Sequence, residues 1–161
     1  MKKYIGTKII EAEPAYHVVD EEGKVRIVTE AAEAKRYGTV DLGYKVRYPD
    51  GYESFSPKGV FEEAYRPING MNFGLAIEAA KKGKKITRRG WNGKGMWVIY
   101  RSGYPEGILC NKNTADAVGI PEGTLIKVRP YLQMKCVDDT FQMWLASQSD
   151  ILAEDWEIVE D

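Results

Sequence analysis

Polar and apolar residues alternate through the first part of the chain, in YIGTKIIEAEPAYHVVD and again in KVRIVTE. A period of two marks strands with one buried face, so Lys3 to Val28 predicts strands reversing at Glu21, Glu22 and Gly23. Residues 30 to 42 are polar and mixed, a loop or a short helix. GYKVRYPDGYESFS predicts a strand, a turn at Pro49, Asp50 and Gly51, and a second strand, because Pro presets φ and Gly accepts the positive φ that follows. Ser56-Pro57 suits the opening of a helix through Phe61 and Tyr65, and Arg66 to Gly70 stops it. A domain boundary follows near residue 69, which separates residues 1–69 from 70–161.

The period then changes. In MNFGLAIEAAKKGKK, Phe73, Ile77 and Ala80 fall on one helical face, Asn72 can cap the start and Gly83 can end it. KITRRGWNGKGMWVIYR predicts two strands around an Asn92-Gly93 hairpin turn. YPEGILCNKNTADAVGIPEG is rich in turn residues, with one helical turn near Thr114 to Val118. TLIKVRPYLQMKCVDDTFQMWLAS is the longest strand-like stretch, reversing at Asp138-Asp139, with Pro130 an edge position or a break. SQSDILAEDWEIV predicts a short helix capped by Ser149 or Asp150 and a final strand. The fold class is α+β: a mostly antiparallel sheet with short helices, preceded by a small N-terminal α+β module.

Composition narrows the function. The 161 residues are 43% hydrophobic and 11% aromatic, enough for a core, and the formal net charge is -1. A chain so balanced has no global reason to coat nucleic acid or an anionic membrane. No apolar run is long enough to span a bilayer, and MKKYIGTKIIEAEP lacks the apolar core of a signal peptide, so a cytoplasmic protein is expected. Cys110 and Cys136 have no metal-ligand spacing and are expected as buried reduced thiols; neither metal nor cofactor is expected. With His17 the single histidine, no Ser-His-Asp or Cys-His arrangement can form, which argues against an enzyme.

Local charge is less balanced. Lys81, Lys82, Lys84, Lys85, Arg88, Arg89 and Lys94 form an all-positive stretch, and every charge from Asp138 onward is negative. The two stretches either pair across a sheet or an oligomer face, or the basic one rims an anion pocket. In RRGWNGKGMW, arginine forks suit phosphate and glycines let backbone N–H groups approach the same oxygens, although the P-loop spacing is missing. Trp91 beside the turn could stack on a base, whereas Trp97 in MWVIY suits the core. In WLASQSD, Ser147, Gln148, Ser149 and Asp150 could cap a helix, read polar edges of a ligand, or do both.

MNFGLAIEAAKKGKKITRRGWNGKGMW together with WLASQSDILAEDWEIV resembles the phage-encoded Thoeris anti-defence family of the second type, over residues 71 to 161. The resemblance implies a protein that sequesters nucleotide immune signals in the infected bacterial cytoplasm without cleaving them. It implies a homo-oligomer, a tetramer built as a dimer of dimers, with glycocyclic ADP-ribose bound between protomers and cyclic dinucleotides held by some members. CVDDTFQMW departs from the family's Gly-containing turn and its Pro before the tryptophan, and Ser102 to Glu122 covers a stretch irregular in length across the family. The first 69 residues lie outside this resemblance; KVRYPDGYESFSPKGVFEEAYRPI resembles a small domain of other phage proteins. On this reading Arg88, Arg89 and Lys94 face phosphates, Trp91 stacks, and Asn92, Ser147, Gln148 and Asp150 read polar edges. Asn72, Phe73 and Trp144 complete the ligand-binding set. The rival readings are an enzyme that degrades the same signal and a phage structural or regulatory protein that binds nucleic acid.

Overall fold

In the computed structural model, residues 1–2, 7–37 and 40–160 are described, and they divide into two compact units, Met1–Pro67 and Ile68–Asp161. The part of the first expected strand at residues 3–6 lies outside the described residues, and residues 7–10 are not strand, so pairing begins at Glu11. In the N-terminal unit β1 (Glu11–Val19), β2 (Val25–Val28), β3 (Val40–Arg47) and β4 (Glu53–Pro57) form an antiparallel sheet in the order β2-β1-β3-β4. Registers Tyr16↔Val28 and Ala12↔Val46 put Val18, Val28 and Val46 on one face, where Ala34 of the short helix α1 (Ala31–Ala34) joins Val18 and Val28 in a small core. On the other face the Phe55 ring lies over Gly43 and stacks on His17 at 4.8 Å. A Cβ on Gly43 would sit 2.5 Å from Phe55 Cζ, so no larger residue fits.

Helix α2 (Lys58–Ala64) corrects the expected Ser56 cap. Pro57 occupies the N-cap position with no side-chain cap, and Ser56 is held in the ladder opposite Tyr44. Strand pairing continues to Pro57↔Gly43, so the chain is still extended where the serine would have had to cap.

In the C-terminal unit α3 (Phe73–Lys81) lies against an antiparallel sheet of order β10-β9-β6-β5-β11, made by β5 (Ile86–Arg88), β6 (Trp97–Arg101), β9 (Tyr131–Lys135), β10 (Phe141–Met143) and β11 (Trp156–Ile158). The Asn72 side chain accepts from Leu75 N and Gly83 follows the helix at φ 85, as the sequence predicts. The buried face is Ala76, Ala79 and Ala80 rather than Phe73, Ile77 and Ala80. Small residues let the helix close on Ile86, Val98, Met134 and Trp156, while Phe73 turns toward the tryptophans at the N-terminal end of α3. Trp156 is fully buried; Trp97, expected in the core, is half-buried and meets Phe141 edge-on at 5.8 Å.

The expected two-residue turn at Asn92-Gly93 is a wide loop. β5 and β6 pair at Ile86↔Val98, residues 89–96 bridge them, and the left-handed backbone falls at Gly95, φ 72. Pro130 is a true break: β8 (Leu125–Val128) pairs with β7 (Tyr104–Leu109), whereas β9 enters the main sheet. The Asp138-Asp139 reversal is present, with Asp139 at φ 63. The expected turn near Thr114 is helix α4 (Lys112–Val118), capped by Asn111. Helix α5 (Gln148–Ile151) is capped by Ser147, not by Ser149 or Asp150. Both cysteines are free thiols, Cys110 buried and Cys136 half-buried.

The four tryptophans, at 91, 97, 144 and 156, all lie in the second unit. Residues 68–161 expressed alone should therefore keep the tryptophan bands of the full chain's near-ultraviolet circular dichroism and unfold in one cooperative transition. A flattened aromatic spectrum would show that the second unit depends on the first.

Candidate functional site

The paired charge stretches meet across β5 and β11. Register Arg88↔Trp156 and Thr87↔Glu157 aligns them, and the explanation by pairing across a sheet describes both arginines. Arg88 donates from Nε to Asp155 Oδ1 at 2.8 Å and from Nη1 to Asp150 Oδ1 at 2.8 Å. Arg89 pairs with Glu157 at 3.1 Å and donates to the Asn69 carbonyl at 2.8 Å. Neighbouring residues of a strand point to opposite faces, so Glu157 and its partner Arg89 lie away from the face that carries Trp156 and Arg88. Arg88 is thus held by two carboxylates, and Arg89 pairs with a third on the other side of the sheet.

Asp150 is the centre of the arrangement. Its residue is 7% exposed, and each carboxylate oxygen takes two hydrogen bonds. Oδ1 accepts from Arg88 and from Trp91 Nε1 at 2.9 Å; Oδ2 accepts from the Ser147 amide at 3.0 Å and the Ser147 hydroxyl at 2.6 Å. The Asp150 amide returns a bond to Ser147 Oγ at 3.2 Å, closing a capping box, and the Asp150 carbonyl accepts from Trp156 Nε1 at 2.9 Å. Burial opposes the negative charge, but the bonds from Ser147, Trp91 and Arg88 outweigh it and hold the carboxyl at about 2. Asp155 is lowered too, first by Arg88, against burial, and with help from the Gly90 amide at 2.7 Å.

Around this network stands an aromatic rim. Trp91 meets Trp144 at 5.9 Å and Trp156 at 5.4 Å, both edge-on, and Phe73 closes the group against Trp144 and Trp156. Edge-to-face contacts are the favoured geometry of such rings, so the cluster holds itself together through ring contacts within the chain. The structure therefore gathers Phe73, Arg88, Trp91, Trp144, Ser147 and Asp150 around Trp156. Asn92 and Lys94 stand exposed on the 89–96 loop, and Gln148 is exposed at the first turn of α5. Asn72 has its side-chain oxygen engaged in capping α3.

Asp155 and Trp156 carry as much of the geometry as the expected residues, and neither was singled out from the sequence. Their signal was the opposite-sign charge runs together with the Ser147-x-x-Asp150 spacing, which is that of a capping box. Among the described residues, no group of three or more His, Cys, Asp or Glu is placed to hold a metal ion, and no helix is long and apolar enough to cross a membrane. A cleft in the N-terminal unit is lined by Glu11, Glu13, Lys45, Arg47 and Glu53, in which Lys45 pairs with Glu53 at 3.1 Å and Arg47 with Glu53 at 2.9 Å and with Glu11 at 3.5 Å.

Residues 71–159, more than half of the chain, match the profile of the Thoeris anti-defense 2-like domain. A relative, Thoeris anti-defense 2 of Bacillus phage SP01, is 35% identical over 92 residues, which cover 55% of this chain and 94% of the relative. The matched stretch contains α3, the 89–96 loop, the capping box and β11, and so the whole Asp150 network.

The network makes stability depend on acid in a defined sense. A carboxyl held at about 2, against 3.8 for the free group, contributes stability that is fully present above about pH 4 and is lost as pH falls toward 2, about 2 kcal/mol in size. Urea unfolding at stepped pH should show this loss, and Asp150→Asn should flatten it. Asp150→Ala leaves Arg88 with one carboxylate and Trp91 Nε1 without its acceptor, and should cost about 3–5 kcal/mol at neutral pH.

Proposed function

The chain belongs to the Thoeris anti-defense 2-like family, and we propose that it is a phage-encoded sponge that binds a cyclic nucleotide immune signal and keeps it from its receptor. Glycocyclic ADP-ribose is the first expected ligand, with cyclic dinucleotides as a second class. The observation that supports this reading is the Asp150 network, which ties the 89–96 loop to the cap of α5 through hydrogen bonds within the chain. Submicromolar capture needs more than about 8 kcal/mol net, and a few charge-assisted hydrogen bonds reach that only where the groups are already ordered. In this scheme Arg88, Asp150 and Ser147 position the rim rather than touch phosphate. Trp91, Trp144 and Phe73 offer ring surface to a base, Lys94 offers a positive charge, and Asn72, Asn92 and Gln148 offer polar atoms to ribose and base edges. Arg89, on the other side of the sheet, serves a second protomer or none.

A homo-oligomer, arranged as a dimer of dimers with pockets between protomers, completes the reading. Its support is the apolar surface beside the site: Leu145 is 91% and Leu152 71% exposed, and Met143 and Phe141 are exposed on β10 at the edge of the sheet. Large apolar side chains left exposed on an edge strand and the segment after it suit an association surface. The protein acts in the cytoplasm of the infected host, where such signals are made, and uses neither metal nor cofactor. Holding a ligand still asks only for the rim and its supports; cleaving it would ask for an activated nucleophile or a general base.

Incubated with glycocyclic ADP-ribose and then heat-denatured, the full chain should return the ligand chemically intact, with capture saturating at a fixed ratio to protein. Chromatography of the released ligand checks it. A product peak growing beyond one equivalent per site would replace the sponge with an enzyme. Lys94→Ala should weaken capture about fivefold at low salt, less at high salt, and leave the unfolding midpoint unchanged because the side chain is exposed.

A further inference from the structure

The 89–96 loop is secured at both ends by the sheet and its neighbours. At its start Asp155 accepts from Gly90 N at 2.7 Å, and at its end the Thr87 hydroxyl donates to the Met96 carbonyl at 2.8 Å. Its middle, which carries Asn92 and Lys94, leans on something else. A Cβ on Gly93 would clash with Val137 Cγ2 and with Met96 Sδ, so the Val137 methyl occupies the space beside the Gly93 backbone. Lys135 Nζ donates to the Gly95 carbonyl at 3.4 Å, and Asp139 holds the same ammonium at 2.6 Å. Val137 and Asp139 sit on the tip between β9 and β10, where Asp138 Oδ1 accepts from the amide and the hydroxyl of Thr140 and Asp139 adopts φ 63. Val137 itself is 59% exposed, so its burial does little for the core. Its methyl contact bears on the loop, and Lys135 ties the loop to the hairpin tip.

We propose that the tip of the β9–β10 hairpin, through Val137 and with Lys135 beside it, is the positioning element that sets where the loop presents Asn92 and Lys94. This deepens the sponge reading and rests on it for its consequence in binding, but the positioning can be measured without a ligand. Gly93 is the contact point, which explains why the loop needs a residue without a side chain there although its φ is not in the left-handed region. Asn92 and Lys94 flank that contact directly, so a shift of Gly93 moves both.

The test uses the full chain and three variants, Val137→Ala, Gly93→Ala and the two combined. Val137→Ala removes the Cγ2 methyl that an alanine at 93 would strike, and the flexible Met96 thioether can move aside. In ligand-free protein, the amide resonances of Gly93 and Gly95 should shift in Val137→Ala while those of the β5 and β11 residues stay in place. Titrated with glycocyclic ADP-ribose, Gly93→Ala should bind about tenfold more weakly, Val137→Ala about threefold, and the double variant should recover most of the Gly93→Ala loss, the non-additivity expected of residues in contact. Unfolding midpoints identify any variant that has lost its fold. Unmoved Gly93 and Gly95 amides in Val137→Ala overturn the proposal, as does a double variant as weak as Gly93→Ala. A wild-type chain that binds no probe while Val137→Ala shifts those amides counts against the sponge reading and leaves the positioning role standing.

Discussion

A single carboxylate, that of Asp150, ties the second unit together. Removing a charged group from water costs several kcal/mol, and a site that does so holds only when every lone pair is matched. Here the matching groups come from separate parts of the chain: Arg88 at the end of β5, Trp91 in the following loop and Ser147 at the cap of α5. The backbone carbonyl of the same residue fixes the indole of Trp156, the largest fully buried side chain of the core. The short helix α5, only Gln148–Ile151, could not persist on helical propensity and is fixed by this cap. Loosening any one donor therefore exposes a charge and frees a tryptophan at once, which is why the aromatic rim and the ion pairs form one object.

That coupling also explains what could be read in the sequence. Alternation and turn chemistry were enough for the N-terminal strands and their reversals at Gly23 and Gly51, because hairpins are set by neighbours in sequence. The capping role of Asn72 was legible for the same local reason, and Pro130 could be read locally only as an edge position or a break, of which the break is found. Ser56 was misplaced because a strand partner decided where the helix starts, and no residue near Ser56 reports that partner. The Asn92-Gly93 pair has the composition of a tight turn, yet Asp155, some sixty residues later, pulls Gly90 into a wider loop. At the candidate site, residue types brought out the two stretches that meet in the network but not the partners within it. An arginine beside glycines reads as a phosphate ligand until the carboxylates that occupy it are located, and both lie in the distant acidic stretch.

The consequence for function lies in electrostatics. Arg88 and Arg89 were the strongest anion-binding groups in the motif, and both are partnered within the chain. A nucleotide pocket built on this rim would draw little of its affinity from net charge, in keeping with a chain whose formal charge is -1. Its discrimination would come from shape: rings held edge-to-face at fixed angles, and polar atoms on a loop clamped at Gly90 by Asp155 and supported at Gly93 by Val137. Such a pocket suits a compact cyclic ligand better than an extended linear one, because a rigid ligand and a rigid rim each lose little freedom on meeting.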